Sequence, residues 1–498
     1  VNKPNWFRIT LAYTFVAISM TYPLITQLTT HVAGDNSASS DVGESIWGLW
    51  WWRYALFTLH QSPLSITVLN HPQGFYFPLY PFMSQAFLLA LPVTALTSPT
   101  LAYNIIFLLS LVASGLTGYA LCLEVSRDVW ASFVGGLIWA VFPSKMIHGV
   151  AGHLPLIFLF SIPLATLGLL RTLKEPSFRL SVLTGLALAL VGTIHPIYLV
   201  YVVVPLTLVL LGHAWQTAGW AFWQRKKLLA LGGVGSIAVG LLLLLAFPAL
   251  RQWQQDPQTV WTASPDVTGF SPDALGYFIP SVDNPLIQLT SLTSFAVQVM
   301  PYQYAYLIYV GWAPLILAVV GSFAQPAVSQ PWRLLAIGGA IFALGPLLKL
   351  GGDYAQVVIA GEPYRIVLPY AWVVNWPIVQ WSRTPGRLTV LVMLAVAVLA
   401  TLGLSALLKK FNTLRNTPWG VGLVAAWVML EYIVRLPFPS FPASLPSFVS
   451  PLALNTEPQA ILQLPMDSYQ DNQRALFWQT GHQHPLIGGR VYRDQPQA

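Results

Sequence analysis

The stretch HVAGDNSASSDVGESIWGLWWW, His31 to Trp52, sets three carboxylates, Asp35, Asp41 and Glu44, between a long apolar run and a row of tryptophans. Only 8% of the 498 residues are charged, while 55% are hydrophobic and 13% aromatic. A soluble domain carries about a quarter charged residues, so the chain reads as an integral membrane protein. The run just upstream, Trp6 to Leu28, is long enough to cross a bilayer and too long for the core of a signal peptide. The three acids therefore sit where the chain first leaves the membrane.

Working outward, runs of about 17–25 apolar residues, the length that spans a bilayer, recur near 6–28, 100–122, 128–147, 153–171, 180–195, 196–213, 228–249, 303–325, 333–350, 387–408 and 416–437. They predict an all-α polytopic protein with about eleven transmembrane helices. Basic residues collect in three connections, Arg171, Lys174 and Arg179, then Arg225, Lys226 and Lys227, then Lys409, Lys410 and Arg415, all on one side if the spans are counted this way. With Lys3 and Arg8 they place the amino terminus in the cytoplasm of a plasma (inner) membrane. The count requires 43–60 and 81–97 to lie in the interface, the first held there by Trp47, Trp50, Trp51, Trp52 and Tyr54. A sugar-stacking role for those rings is the alternative.

This topology divides the chain into a membrane domain, 1–437, and an extracytoplasmic segment, 438–498. The outer loops are 29–99, 250–302 and 351–386. In the last segment AILQLPM predicts a strand and the residues around RALFWQT a helix, a small α/β element, with His482 and His484 stabilising a loop. Seven of the nine histidines, His31, His71, His148, His153, His195, His482 and His484, fall on the outer side. That segregation points to a chemical site on the outer face rather than a channel through the bilayer. The formal charge of +7 is accounted for by the inner loops, and nucleic acid is not a partner. Cys122 is the only cysteine, which excludes an intrachain disulfide and a Cys-ligated zinc, and it reads as a core residue.

Four constellations carry chemistry. Asp35, Asp41 and Glu44 read either as solvated loop charges or as a general base or metal ligand; Asp41 and Glu44 share a face if a helix begins there. FPSKMIHGVAGHLPL turns between spans with Lys145, His148 and His153. The two histidines are five apart, not the i, i+4 spacing of a helical zinc pair, so hydrogen bonding to a substrate ranks above metal ligation, beside the plainer reading of a polar interhelical turn. SPDVTGFSPDALGYFIPSVDNP holds Asp266, Asp273 and Asp283, which cap turns or send a carboxylate back to the site. WSRTPGRLTV puts Arg383 and Arg387 at the outer mouth of a span, to grip a phosphate or to reach lipid headgroups. Gly232, Ser236 and Gly240 in GGVGSIAVG predict a helix-packing face, and there is no Walker A loop, G-x-S-x-G elbow or H-E-x-x-H pair.

In this order the pieces HVAGD…D…W.LWW, NHPQGFYF, GHLPL, SPD…GYFIPSVDNP, RTPGRL and QTGHQHPLIGG resemble the GT-C superfamily of membrane glycosyltransferases, over nearly the whole chain. The resemblance is to uncharacterised bacterial multi-spanning members of that fold. It implies transfer of a sugar from a polyprenyl-phosphate donor to an acceptor on the extracytoplasmic side. Asp35 or Asp41 would be the catalytic base, with Glu44, His148, His153, Asp273, Arg383 and Arg387 binding substrate and the arginines on the lipid phosphate. A divalent ion, Mg or Mn, would be the cofactor if there is one; none is required by the sequence. The chain lacks a WWDYG-type acceptor motif and has no D-x-D in the first loop, which leaves metal dependence and acceptor open. The second reading is a non-catalytic subunit or scaffold of a larger membrane complex; a transporter would need polar residues through the span centres.

Overall fold

The computed structural model describes residues 4–35, 40–255, 267–376, 378–411, 418–455, 457, 459–466 and 468–489. Lys3, Asp266 and Arg415 lie outside the described residues. Among the described residues six helices are long and apolar enough to cross a membrane: Pro99–Ser126, Val129–Val150, Leu154–Lys174, Leu199–Trp223, Arg225–Gln255 and Pro385–Lys410. Five shorter apolar helices join them: Trp6–Met20, Gln85–Leu96, Phe178–Gly192, Trp312–Ala324 and Trp419–Tyr432. The protein is an integral membrane protein, and the boundaries of its helices follow proline and glycine. The first helix stops at Met20, before Pro23, which has no N–H to continue it. The run expected at 303–325 opens with a single helical turn, Gln303–Tyr306, and its longer helix starts only at Trp312, after Gly311 with φ +94°; the run at 333–350 ends its helix at Ala343 and turns into short hairpins.

At the centre lies Thr389–Lys410, buried along nearly all its length. Trp312–Ala324 packs on it most closely, with Val129–Val141 and Pro99–Ser126 on other faces. The closeness is set by glycine: a Cβ on Gly321 would meet Leu399 O at 2.0 Å, and one on Gly403 would meet Leu317 O at 1.9 Å. Small residues at such a crossing let two backbones touch where lipid supplies no hydrophobic drive. The packing face expected at Gly232, Ser236 and Gly240 does not form: all three are exposed, and among the described residues nothing lies within 4 Å of a Cβ placed on Gly232 or Gly240. Arg225–Gln255 instead meets Phe178–Gly192 with Ile237 and the Val234 carbonyl over Gly185 and Leu242 over Gly192.

The first outer loop differs from its expected place. A helix does form, Asp41–Phe57, but Trp47, Trp50 and Trp51 are no more than 1% exposed. They are inside the protein, not at a lipid interface, because the helix is covered by Tyr469–His482 of the tail on one side and by Gln85–Leu96 and Pro99–Ser126 on another. Indole N–H groups that are buried need acceptors. Trp47 donates to Gln479 Oε1 at 2.7 Å and Trp51 to the Pro63 carbonyl at 2.8 Å. The tail is thus docked on the first loop. Ser440–Pro442 pairs antiparallel with His31–Ala33; the segment expected as a strand at AILQLPM holds only an isolated bridge from Ile461 to Leu486.

Candidate functional site

Asn104, on the Pro99–Ser126 helix, holds the chain as it leaves the membrane. Its amide donates to the carbonyls of Leu28 at 2.8 Å and His31 at 2.7 Å, and accepts from Ala33 N at 3.1 Å. The strand then delivers Asp35, whose N–H donates to Val150 O at 2.6 Å, and Asp41 opens the next helix. A carboxylate is favoured there by the positive end of the helix dipole.

Opposite stands the turn that follows Pro143–Val150. Gly152 is the residue that makes the approach possible: its φ is +83°, and a Cβ on it would fall 2.3 Å from Val42 N. Ser45 Oγ locks the contact by donating to Gly152 O at 2.6 Å. With the two backbones this close, Asp41 Oδ2 meets His153 Nε2 in a short hydrogen bond. The chain continues: His153 Nδ1 is 2.8 Å from His148 Nδ1. Tyr304 stands edge-on to the His153 ring at 5.9 Å. Burial and the neighbouring Asp41 hold the Tyr304 hydroxyl above its ordinary value, and Arg383 pulls it back.

Arg383 is exposed and lies over the Phe270 ring at 4.8 Å. Arg387 sits in the one-turn segment Pro385–Leu388 that enters the central helix, and its Nε is buried with no hydrogen-bond partner among the described residues. Asp41, Arg383, Tyr198 and Tyr201 all act on the Arg387 guanidinium electrostatically, and Arg387 and His195 act on His148. Tyr201 and Tyr370 bond hydroxyl to hydroxyl beside it. Arg387 thus feels both Asp41 and Arg383 and in turn acts on His148, while His153 is hydrogen-bonded to Asp41 and His148, although these residues come from three distant parts of the chain.

The other candidates go elsewhere. Asp35 is paired with Arg435 at 3.9 Å. Glu44 turns the other way round its helix and accepts from Gln473 Nε2 at 3.1 Å in the tail interface. Asp273 accepts from Leu275 N at 2.8 Å and Gly352 N at 2.7 Å, so it caps a turn and ties down a hairpin. Lys145 is 1% exposed and donates to Ser114 Oγ at 2.7 Å. Tyr198, Tyr201, Tyr304 and Tyr370 were not singled out by sequence, because nothing in local pattern separates them from the other tyrosines among 20.

Among the described residues no group of three or more His, Cys, Asp or Glu is placed to hold a metal ion. Asp41, His153 and His148 direct their polar atoms at one another, so this donor set does not fit a resident divalent ion and no step below runs through one. A cavity of about 640 Å³ is found away from the site, between the first loop and the tail, lined by Tyr54, His71, Asn455, Gln459 and His484 among others.

No family model matches the sequence, and no curated protein matches it. Solved structures do. The Archaeoglobus fulgidus oligosaccharyltransferase, in complex with Zn and sulfate, superposes with a TM-score of 0.52 at 11% identity, over 97% of this chain and 62% of that one. The same enzyme tethered to an acceptor peptide gives 0.52 at 12% identity, over 98% of this chain and 64% of that one. ArnT from Cupriavidus metallidurans, bound to undecaprenyl phosphate, gives 0.50 at 13% identity, over 97% of this chain and 85% of that one. The chain thus spans less than two thirds of the oligosaccharyltransferase, and at these identities the likeness is one of fold. The chain has the GT-C fold of membrane glycosyltransferases.

Proposed function

We propose, with the GT-C fold as the premise, that this integral membrane protein transfers a sugar from a polyprenyl-phosphate carrier to an acceptor at the outer face of the membrane. The observation that carries the reading is that Asp41, from the first loop, joins His153 and shares one electrostatic environment with Arg383 and Arg387. A carboxylate and two guanidinium groups that act on one another electrostatically match the two ends of a glycosyl transfer. The acceptor oxygen attacks the anomeric carbon as the bond from that carbon to the phosphate oxygen breaks. The acceptor's proton passes to Asp41, and the leaving lipid phosphate gathers charge beside the arginines, of which Arg387 is the less exposed, and a fixed cation shielded from solvent counts for more than one in water. Arg387 supplies an Nε–H that no described residue accepts from, which is what a planar, forked phosphate contact needs. The amino terminus would be cytoplasmic and the tail extracytoplasmic.

The test uses the whole chain in lipid nanodiscs with undecaprenyl-phosphate-linked mannose, glucose and galactose as donor probes, reading free undecaprenyl phosphate. The wild type is expected to release it from at least one probe. Asp41→Asn and Arg387→Gln are expected to slow release about 10²-fold or more, and Arg387→Lys to recover only part. Release by wild type that neither substitution slows would overturn the assignment, and no release from any probe would favour the scaffold reading.

A further inference from the structure

We propose that the atom that takes the acceptor's proton is Nε2 of His148, and that Asp41 is the far end of a proton wire running through His153. This rests on the glycosyl-transfer reading above and deepens it, because it names the group the acceptor meets.

The orientation of the wire follows from what each group can donate. An ionised carboxylate only accepts, so in the Asp41–His153 bond it is the ring Nε2–H that donates. A neutral imidazole carries a single N–H, so His153 Nδ1 is then bare and must accept. Its partner is His148 Nδ1 at 2.8 Å, which is therefore the N–H of that ring. The same rule leaves His148 Nε2 with a free lone pair. One ionised carboxylate thus fixes two tautomers in series, with a base at one end and a proton sink at the other.

The two ends lie in different surroundings. His148 is 5% exposed and is the ring on which Arg387 and His195 act; the Asp41 side chain is 30% exposed. The lone pair is thus on the more buried ring, on which the guanidinium proposed to hold the donor phosphate acts electrostatically, and the carboxylate is at the more exposed end.

The transfer balances without a charged histidine. The acceptor O–H bond breaks and a bond forms from its hydrogen to His148 Nε2. The Nδ1 proton of His148 moves to Nδ1 of His153, and the Nε2 proton of His153 moves to Asp41 Oδ2. Meanwhile the acceptor oxygen bonds to the anomeric carbon, and the electron pair of the broken bond leaves with the lipid phosphate. That phosphate has a second ionisation near pH 6, about that of other phosphomonoesters, so it can take the proton back from His148 Nε2. The shifts then run in reverse and Asp41 is ionised again. Over one cycle the acceptor's proton reaches the leaving group, held in between on Asp41.

Two readouts test this, one of them independent of activity. Nitrogen-15 NMR of histidine-labelled protein in nanodiscs, without substrate, is expected to show His148 as the Nδ1–H tautomer and His153 as the Nε2–H tautomer. In Asp41→Asn the new side-chain amide can donate to His153 Nε2, so both tautomers are expected to invert. In the donor-release assay with an added hydroxyl acceptor, His148→Gln is expected to lower kcat about 10²–10⁴-fold with the donor KM within about twofold, and added imidazole is expected to restore part of the rate in His148→Ala. A His148 that carries its proton on Nε2 in the wild type would overturn the proposal, as would His148→Gln turning over at the wild-type rate while Asp41→Asn is dead. If the wild type transfers no sugar at all, the functional reading fails while the NMR result still decides the wire.

Discussion

Replacing Gly152 by alanine tests how the site is held together. The added Cβ would lie 2.3 Å from Val42 N and 2.4 Å from its Cγ2, where ordinary contact needs about 3.5 Å. The start of the Asp41–Phe57 helix must then withdraw by about 1 Å, away from the turn that carries His153. The φ of +83° adds about 1–2 kcal/mol for a side chain in the left-handed region, and overpacking adds about 1–3 kcal/mol, so a loss of about 2–5 kcal/mol is expected. The same withdrawal stretches the Ser45–Gly152 bond of 2.6 Å and the Asp41–His153 contact. A displacement of about 1 Å in a reacting group costs about 10²-fold in rate. Thermal unfolding in detergent and donor release in nanodiscs measure the two effects, with Gly232→Ala as control because nothing lies within 4 Å of its Cβ. If Gly152→Ala unfolds and turns over as the wild type does, the close approach does not position Asp41 and the reasoning fails.

Three further outcomes follow from the packing around the site. Trp47→Phe removes the donor to Gln479 Oε1, a bond of 2.7 Å, and is expected to cost about 1–3 kcal/mol, seen as faster proteolysis of the tail. Burial, with His484 close by, pushes His482 down to about 4 from its usual value of 6.5. The unfolded tail therefore binds this proton first, and the helix Tyr469–His482 should lose stability as pH falls from about 6.5 towards 4 and stay level above that window; hydrogen exchange follows it, and His482→Gln should remove the slope. Glu124 accepts from Lys174 at 2.8 Å, Arg127 at 2.9 Å and Arg171 at 3.2 Å. Glu124→Ala should lower stability by about 2–3 kcal/mol, with Glu124→Gln intermediate in the same thermal assay.

Much of the architecture was legible because lipid imposes it. Apolar runs of spanning length mark most of the helices, though those at 303–325 and 333–350 are broken by turns, and the acid-rich loop after the first run stood out because charge is so scarce in the chain. The tryptophans of the next helix misled because an indole suits a membrane interface and a protein interior equally well. What decides between them is tertiary packing, by Gln85–Leu96 and Pro99–Ser126 and by Tyr469–His482, more than 400 residues later in the chain. For the site, Asp41, His148, His153, Arg383 and Arg387 were each visible as polar residues in an apolar chain. Their meeting was not visible, since it depends on the positive φ at Gly152 and on Val42 packing against it. Glu44 and Asp273 looked the same in sequence and make structural bonds, because which way a carboxylate points round a helix end or a turn is a tertiary matter. Tyr198, Tyr201, Tyr304 and Tyr370 gave no signal, as a tyrosine's hydroxyl becomes informative only once its neighbours are known.

The most direct measurement is a cryo-EM structure of the protein in nanodiscs with undecaprenyl phosphate. The account predicts phosphate density within about 3 Å of the Arg387 guanidinium, in hydrogen-bond reach, with the Asp41–His153–His148 chain intact and facing it. A lipid phosphate bound elsewhere, with packed protein between Arg387 and His148, would contradict it.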